Sequence, residues 1–594
     1  MLFLLLFTHL LLALVGASSD ALLSALQTTD DDCSSCLALL GAFQTVSLGS
    51  VDAFVAEFTS LCIGLGAADP DVCTGLIARE GPILAHDLNS INTTAGQTAE
   101  RLCDALLGMC VSKAVNPFTV PLLKPAPKNP TVFSSRGRPT FRVVHLSDVH
   151  IDRFYTVGSE ANCTKSICCR DFDDSPAVPT VPAGPNGNSH CDSTVNLADS
   201  MLAEVERLNP TFTIFTGDVV EGATWIVDQT EVTNDLAAFN AELAAKLTGP
   251  IFPSLGNHDS APVNAFARTT TNTANNSQFV YDTQSAGWEQ FIGPGPAAQV
   301  DHISGSYVAQ VPGMKLRIIA VNTQLWYKQN FWLYDSDTPQ PDPNGIIAFL
   351  AEALQATEDA GERAWVIGHI PLGKEDTLPD QSNYYDQVLQ RYKNTIAGQF
   401  FGHSHKDQFE IAYSNYSEQI AANAVGVGLI GPALTPTSGN PAFKVYDIDP
   451  DTFEVMDSSV FFTNISDPSF QISPTWGRFY SARETYGPLV GLQPHEPLSP
   501  AFWHNLTDVF MTNDTAFQMF NTFLSRAGDV TPCAGDCVNT TICDMRAFRS
   551  ENNCDVPATG FSLRRRAVSG GAHDSDECEG VGLAHILSQM VSSV

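Results

Sequence analysis

Positive charge is scarce in this chain. Lys and Arg number 31 against 65 Asp and Glu, for a net charge of −34. Such a surface repels polyanions, which excludes a nucleic-acid binder held by backbone electrostatics. It suits work in acid, where carboxylate repulsion fades, although plain solubility explains it equally well. Charged residues are only 16% of the chain, few for a cytosolic protein. Long apolar runs are also missing. After Ala17 no stretch reaches the roughly 18 apolar residues of a spanning helix, so no transmembrane helix is expected. Nor does a second ligand pair follow Cys33-x2-Cys36 at zinc-finger spacing, which argues against a finger there.

What is present points outward from the cell. Residues 1–17 are a Leu-, Phe- and Ala-rich run ending in Val15-Gly-Ala17, and read as a signal peptide. The 15 cysteines cluster, as in exported proteins. Eight Asn-x-Ser/Thr acceptors fit a glycosylated surface: Asn92, Asn162, Asn275, Asn415, Asn464, Asn505, Asn513 and Asn539. The protein is expected to be secreted or delivered to an acidic lysosomal or vacuolar compartment. A chain of 594 residues, 44% hydrophobic, holds two to four domains.

Residues 29–112 carry Cys33, Cys36, Cys62, Cys73, Cys103 and Cys110. Helix-length segments separate them, with Val51, Phe54, Val55, Phe58 and Leu61 on one face. Six cysteines allow many pairings, and spacing alone does not choose. Residues 113–139 are proline-rich with Lys and Arg interspersed, and read as a semi-rigid extended linker. From Phe141 short apolar runs alternate with helical faces. Strands are expected at 141–147, 212–216, 251–255, 315–322, 364–367 and 397–401, which predicts an α/β layered core with largely parallel pairing over 140–450. Residues 451–594 read as a helical subdomain with five further cysteines. Arg564-Arg-Arg566 is either a processing site or a surface patch.

The chemistry gathers at strand ends. The run Phe212-Thr-Ile-Phe-Thr ends in Gly217-Asp218; the other strands end in Asp148-Val-His150, Gly256-Asn-His-Asp259, Gly368-His369 and Gly402-His-Ser-His405. One Asp after a Gly is ordinary turn chemistry. Five polar strand ends in one α/β domain point to a site at the carboxyl edge of the sheets. Carboxylate, imidazole and amide oxygen without thiolate suit Zn²⁺, Fe or Mn²⁺. A pair of ions about 3.5–4 Å apart needs a bridging group such as a carboxylate.

This ordered set resembles the calcineurin-like metallophosphoesterases. With the six-cysteine block, which resembles a saposin domain, the proline linker and the stretch Leu146-Ser-Asp-Val-His-Ile-Asp-Arg-Phe-Tyr155 … Cys168-Cys-Arg170, it is similar to the acid sphingomyelinase family. The resemblance implies a metallophosphoesterase core of β-sheets flanked by helices, in βαβαβ order. An all-α saposin domain precedes it and a helical C-terminal subdomain follows. It implies the disulfides Cys33–Cys110, Cys36–Cys103, Cys62–Cys73, Cys163–Cys168, Cys169–Cys191, Cys533–Cys537 and Cys543–Cys554, leaving Cys578 free. It implies two Zn²⁺ per chain: Asp148, His150 and His405 on one, Asn257, His369 and His403 on the other, and Asp218 bridging.

By the same resemblance a hydroxide held between the ions attacks phosphorus in line, and His258 protonates the leaving oxygen. Asp259 either orients His258 or is a turn carboxylate. The expected reaction is hydrolysis of a sphingomyelin-type phospholipid to ceramide and phosphocholine. The partners are that phospholipid and a membrane surface met through the saposin-like block, with no nucleic acid and a monomeric chain. The alternatives are a phosphodiesterase for nucleotides or other soluble diesters, and a non-catalytic lipid-binding protein. One departure stands out. The family places a second histidine shortly after Gly-Asp, where this chain reads Val219-Val-Glu-Gly-Ala-Thr-Trp225. That puts substrate preference, not the metal core, in question.

Overall fold

The computed structural model describes residues 22–29, 32–110, 114–271, 277–528, 530–554 and 582–594. The expected signal peptide, Asn275, Arg564–Arg566 and Cys578 lie outside the described residues. Two six-stranded sheets form the centre. The first contains β1 (Phe141–Leu146), β2 (Phe212–Phe215), β3 (Ile251–Pro253), β10 (Ala442–Ile448), β11 (Val455–Phe462) and β12 (Gly477–Ser481), in the order β12-β11-β10-β1-β2-β3. The second contains β4 (Tyr307–Gln310), β5 (Leu316–Ala320), β6 (Arg363–Ile367), β7 (Ile396–Phe401), β8 (Gln408–Tyr413) and β9 (Ala424–Ile430), in the order β4-β5-β6-β7-β9-β8.

The sheets meet face to face through large rings. Phe212 of β2 lies 5.4 Å from Trp365 of β6, and His145 of β1 lies 6.0 Å from Phe400 of β7, between ring centroids. Strands such as β2 and β6 are buried along their whole length, as continuous Phe, Ile, Val and Trp runs require when both faces are covered. The helix Val195–Leu208 joins β1 to β2. The Thr194 side chain caps its start, and it ends at Asn209 in the left-handed region, one residue before Pro210. The helix Gln229–Lys246 joins β2 to β3, and the Asp228 carboxylate accepts the N–H groups of Thr230 and Glu231 at its start.

Pairing is parallel at one end of the first sheet, β1-β2-β3, and in the middle of the second, β5-β6-β7-β9. The flanking ladders β1-β10, β10-β11, β11-β12, β4-β5 and β8-β9 are antiparallel. Most of these antiparallel neighbours are joined by connections too short for a crossover helix. The stretch after 450 also differs from a purely helical reading. Its first elements, β11 and β12, extend the first sheet, so a boundary at 450 would cut the β10-β11 ladder. Helices follow at Ala482–Val490, Pro500–Thr512, Asp514–Leu524, Asp536–Met545 and Leu583–Ser592.

The N-terminal six-cysteine block is four helices, Cys33–Ser47, Val51–Leu65, Pro70–Ser90 and Gln97–Leu107, around Phe43, Phe54 and Phe58. Among the described residues seven disulfides are formed: Cys33–Cys110, Cys36–Cys103, Cys62–Cys73, Cys163–Cys168, Cys169–Cys191, Cys533–Cys537 and Cys543–Cys554. The block is clamped to the core. Arg79 donates to the carbonyls of Val227 (2.9 Å) and Ile226 (2.8 Å), and Arg101 makes a two-pronged bond to Asp380 (2.9 and 2.7 Å). The last helix, Leu583–Ser592, returns to this block, where the Leu583 N–H donates to buried Glu80 (3.0 Å). The described part of the linker has neither helix nor strand but is not loose. Asn116 is bonded to Asp380, Lys124 to Asp359, and Arg136 and Arg138 to Asp451. Among the described residues no helix is long and apolar enough to cross a membrane.

Candidate metal centre

Each strand that carries a candidate ligand stops where the chain must turn sharply toward one common point. Asp148, His150, Asp218, His403 and His405 all adopt left-handed backbone conformations, with φ of 51°, 37°, 63°, 71° and 58°. For residues other than glycine this costs on the order of 1–3 kcal/mol each, and such strain concentrates at functional sites. The glycines beside them are there for space. A Cβ on Gly256 would lie 2.1 Å from Asp218 Oδ1, and one on Gly402 would lie 2.0 Å from Ser147 Oγ and 2.7 Å from Asp148 Oδ2. The strand ends therefore approach each other more closely than any side chain permits.

All seven candidate ligands are buried and converge. Asp148, His150, Asp218 and His405 offer ligand atoms that all lie within 4.8 Å of one another. His150 Nε2 is 3.1 Å from His405 Nε2, and His405 Nε2 is 3.5 Å from Asp148 Oδ1. On the other side, Asn257 Oδ1 is 2.8 Å from His369 Nε2 and 3.0 Å from His403 Nδ1. Asp218 Oδ2 stands between the two groups, 3.4 Å from His150 Nε2 and 3.1 Å from His369 Nε2.

The outward-facing atoms fix what the inward-facing ones are. His150 Nδ1 is 2.8 Å from the Val220 carbonyl, and His369 Nδ1 is 2.6 Å from the Thr216 carbonyl. A carbonyl only accepts, so both Nδ1 atoms carry the proton. In the neutral rings, the His369 Nε2 lone pair then faces Asp218 and Asn257 oxygens, and that of His150 faces another ring nitrogen. Asn257 Nδ2 donates to Asn264 Oδ1 (2.9 Å), which turns its amide oxygen inward. Electron pairs aimed at electron pairs in a buried site fit a divalent metal between them, and the imidazole, carboxylate and amide donor set suits Zn²⁺, Fe or Mn²⁺. Burial alone would raise the Asp218 carboxyl; an imidazolium at His369, with the His150 and His258 rings beside it, would instead bring it well below its ordinary range.

His258 lies at the rim of this group. Its ring meets that of His150 edge to face at 4.8 Å, and its backbone N–H donates to Asp218 Oδ1 (2.8 Å). Asp259 accepts from the backbone N–H groups of Gly256 (2.7 Å), Val219 (2.8 Å) and Asp218 (3.3 Å). Of its two expected roles this is the turn carboxylate, tying the ends of β2 and β3 together. His145 bonds Tyr446 and Thr216 inside the core, one step behind the site.

The departing stretch 219–225 is held by charge. Arg170 bonds both Asp152 (2.9 Å) and Glu221 (2.6 Å), with all three buried. Sequence reasoning named Glu221 but not this partner. It also missed the groups behind the imidazoles: Val220 and Thr216 carbonyls, Ser438 Oγ at 3.2 Å from His405 Nδ1, and Asp376 Oδ2 at 2.7 Å from His403 Nε2. Seven of the eight glycosylation candidates are exposed, all but Asn275, which lies outside the described residues.

The sequence profile of calcineurin-like phosphoesterases matches residues 141–407, the span that carries all seven converging residues. The chain is 30% identical to the sphingomyelin phosphodiesterase of Bos taurus over 509 residues, 83% of this chain and 78% of that one. It is 30% identical to sphingomyelin phosphodiesterase 2 of Caenorhabditis elegans over 564 residues, 87% of this chain and 86% of that one. With the human sphingomyelin phosphodiesterase it shares 32% identity over 424 residues, 69% of this chain and 64% of that one.

Proposed function

Because this chain belongs to the acid sphingomyelinase family and is a phosphodiester hydrolase, we propose that it hydrolyses a sphingomyelin-type phospholipid to ceramide and phosphocholine. The observation that carries the reading is the position of Asp218 Oδ2 between two imidazole nitrogens, each belonging to a separate cluster of ligand atoms. In this reading Asp148, His150 and His405 would hold one Zn²⁺ and Asn257, His369 and His403 another, with Asp218 available to both. Such ions lower the pKa of a bound water and neutralise a phosphodiester anion.

The chain's own residues do the rest. The ceramide oxygen is a poor leaving group and needs a proton. His258 is the proton donor, held beside the centre by its N–H bond to Asp218. The Val220 and Thr216 carbonyls keep the His150 and His369 protons on the outer nitrogens, so the inner ones stay available. Asp259 keeps the two strand ends in register.

The helical block presents lipid. Its clamp, Arg79, grips Ile226 and Val227, at the end of the stretch that begins with Asp218. The disulfides and exposed glycosylation acceptors support a protein that is secreted or sent to an acidic lysosomal or vacuolar compartment.

Headgroup release from sphingomyelin vesicles in acid, compared with a soluble nucleotide diester, tests the reading. Faster turnover of the soluble diester would favour the alternative substrate class, which the missing histidine in 219–225 makes the one to compare.

A further inference from the structure

We propose that Asp376 is a positioning residue for the metal centre. Its carboxylate fixes His403 as an Nδ1 ligand, and the disulfide-closed C-terminal segment around Cys543–Cys554 holds the carboxylate in place. The inference rests on the two-ion reading above.

The four imidazoles of the site are not supported alike. Behind His150 and His369 stand neutral carbonyls, and behind His405 stands the Ser438 hydroxyl. Behind His403 stands a carboxylate, Asp376, with Oδ2 2.7 Å from Nε2 and the residue only 6% exposed. The ring orientation differs as well. His150, His369 and His405 turn Nε2 toward the centre, whereas His403 turns Nδ1 toward Asn257 Oδ1 at 3.0 Å. A buried carboxylate accepting Nε2–H holds that tautomer and makes the inward nitrogen more basic. This carboxylate support falls on the ion assigned to Asn257, His369 and His403.

Asp376 sits in an irregular loop held partly by its own bonds and partly by its neighbours. The Lys328 N–H donates to its carbonyl (2.7 Å), and the Thr377 hydroxyl bonds the Pro371 carbonyl (2.6 Å). Further anchors come from β8, where Glu410 accepts the Gly373 N–H (3.0 Å), from Trp326, whose carbonyl accepts the Leu378 N–H (2.8 Å), and from the C-terminal segment. Asn553 Nδ2 donates to the Gly373 carbonyl and to Asp544 Oδ1, both at 2.8 Å, and Lys374 pairs with Asp544. A Cβ on Gly373 would lie 1.5 Å from the Ala547 carbonyl oxygen, so the two segments touch backbone to backbone. The Cys543–Cys554 disulfide closes the segment that supplies Asp544, Ala547 and Asn553. A far part of the chain thus reaches one imidazole of the site through Asp376.

The test uses the full-length protein loaded with Zn²⁺, and follows metal per chain during chelator challenge. The absorption spectrum of Co²⁺-substituted protein gives a second readout. Asp376→Ala should release one ion roughly 10–100-fold more readily while the second leaves at the wild-type rate. Its cobalt spectrum should change for one ion only. Asp376→Asn keeps an acceptor for Nε2–H without the charge, and should fall between; it carries the test if the alanine variant does not fold. Asn553→Ala should show the same single-ion defect, smaller in size.

A carboxylate with only a structural role would lower the melting temperature without separating the two ions. Retention of both ions at wild-type rates in the Asp376 variants, or their loss together, overturns the proposal. Wild-type retention in Asn553→Ala overturns the part assigned to the C-terminal segment. A wild-type protein that binds fewer than two ions overturns the two-ion reading beneath it, and is seen before any variant is made.

Discussion

The backbone N–H of His258 donates to Asp218 Oδ1 at 2.8 Å, so the candidate proton donor is tethered to the carboxylate that stands between the two ligand clusters. Because the tether is a main-chain bond, the side chain of His258 can be removed without cutting it.

His258→Ala should therefore lower turnover by about 10²–10⁴-fold, the usual worth of a positioned general acid. Metal content should stay at the wild-type value. Steady-state assay together with metal analysis checks both halves, and full activity in this variant would remove His258 from the mechanism.

Gly256→Ala places a methyl group 2.1 Å from Asp218 Oδ1 and 2.2 Å from the Asp218 backbone nitrogen. Backbone cannot yield there without separating β2 from β3. A loss of several kcal/mol is expected in denaturant unfolding, on the order of the larger single-site effects. Metal binding should weaken along with it. A variant of normal stability and normal metal content would mean that the strand ends have more room than the structure gives them.

Glu80 and Glu410 are buried carboxyls, each pushed up to about 8, with burial the largest cause. The folded state then binds a proton that the unfolded state has released between about 4.5 and 8. Stability should thus be highest in acid and fall as the pH rises through that window, by at most roughly 5 kcal/mol for each group. Glu80→Gln keeps an acceptor for the Leu583 N–H and carries no charge. It should flatten the decline in melting temperature between pH values near those two limits. An unchanged slope would show that Glu80 does not titrate in this window.

Arg79 joins the helical block to the carbonyls of Ile226 and Val227. If the block presents lipid to the site, Arg79→Met should reduce turnover of vesicle-borne sphingomyelin several-fold. Turnover of a small soluble diester should change less. An equal loss on both substrates would assign Arg79 to stability alone.

The residues that converge at the candidate site were legible in the sequence because their signals are local. A buried run, a glycine and then Asp or His marks a strand that ends at a site, and steric crowding at Gly256 and Gly402 shows why those glycines are needed. What escaped was non-local. Asp376 lies in a loop 27 residues from His403, with no spacing rule to connect them, and Arg170 lies 51 residues from Glu221. β11 escaped because Asp457, Ser458 and Ser459 interrupt its apolar pattern, yet all three are buried in the sheet. Antiparallel flanks escaped because an alternating strand and helix pattern favours parallel pairing, and most of the flanking strands are joined by connections without an α-helix. The return of the helix Leu583–Ser592 to the N-terminal block rests on packing and on one bond to Glu80, neither of which has a local sequence signature.

The most direct test of the account measures zinc per chain and phosphocholine release from sphingomyelin vesicles in acid, before and after chelation. The account predicts two zinc ions per chain, release that stops when they are removed, and recovery when Zn²⁺ is restored. Release that continues undiminished in metal-free protein, or an intact two-zinc protein that leaves sphingomyelin untouched while cleaving soluble diesters, would contradict it.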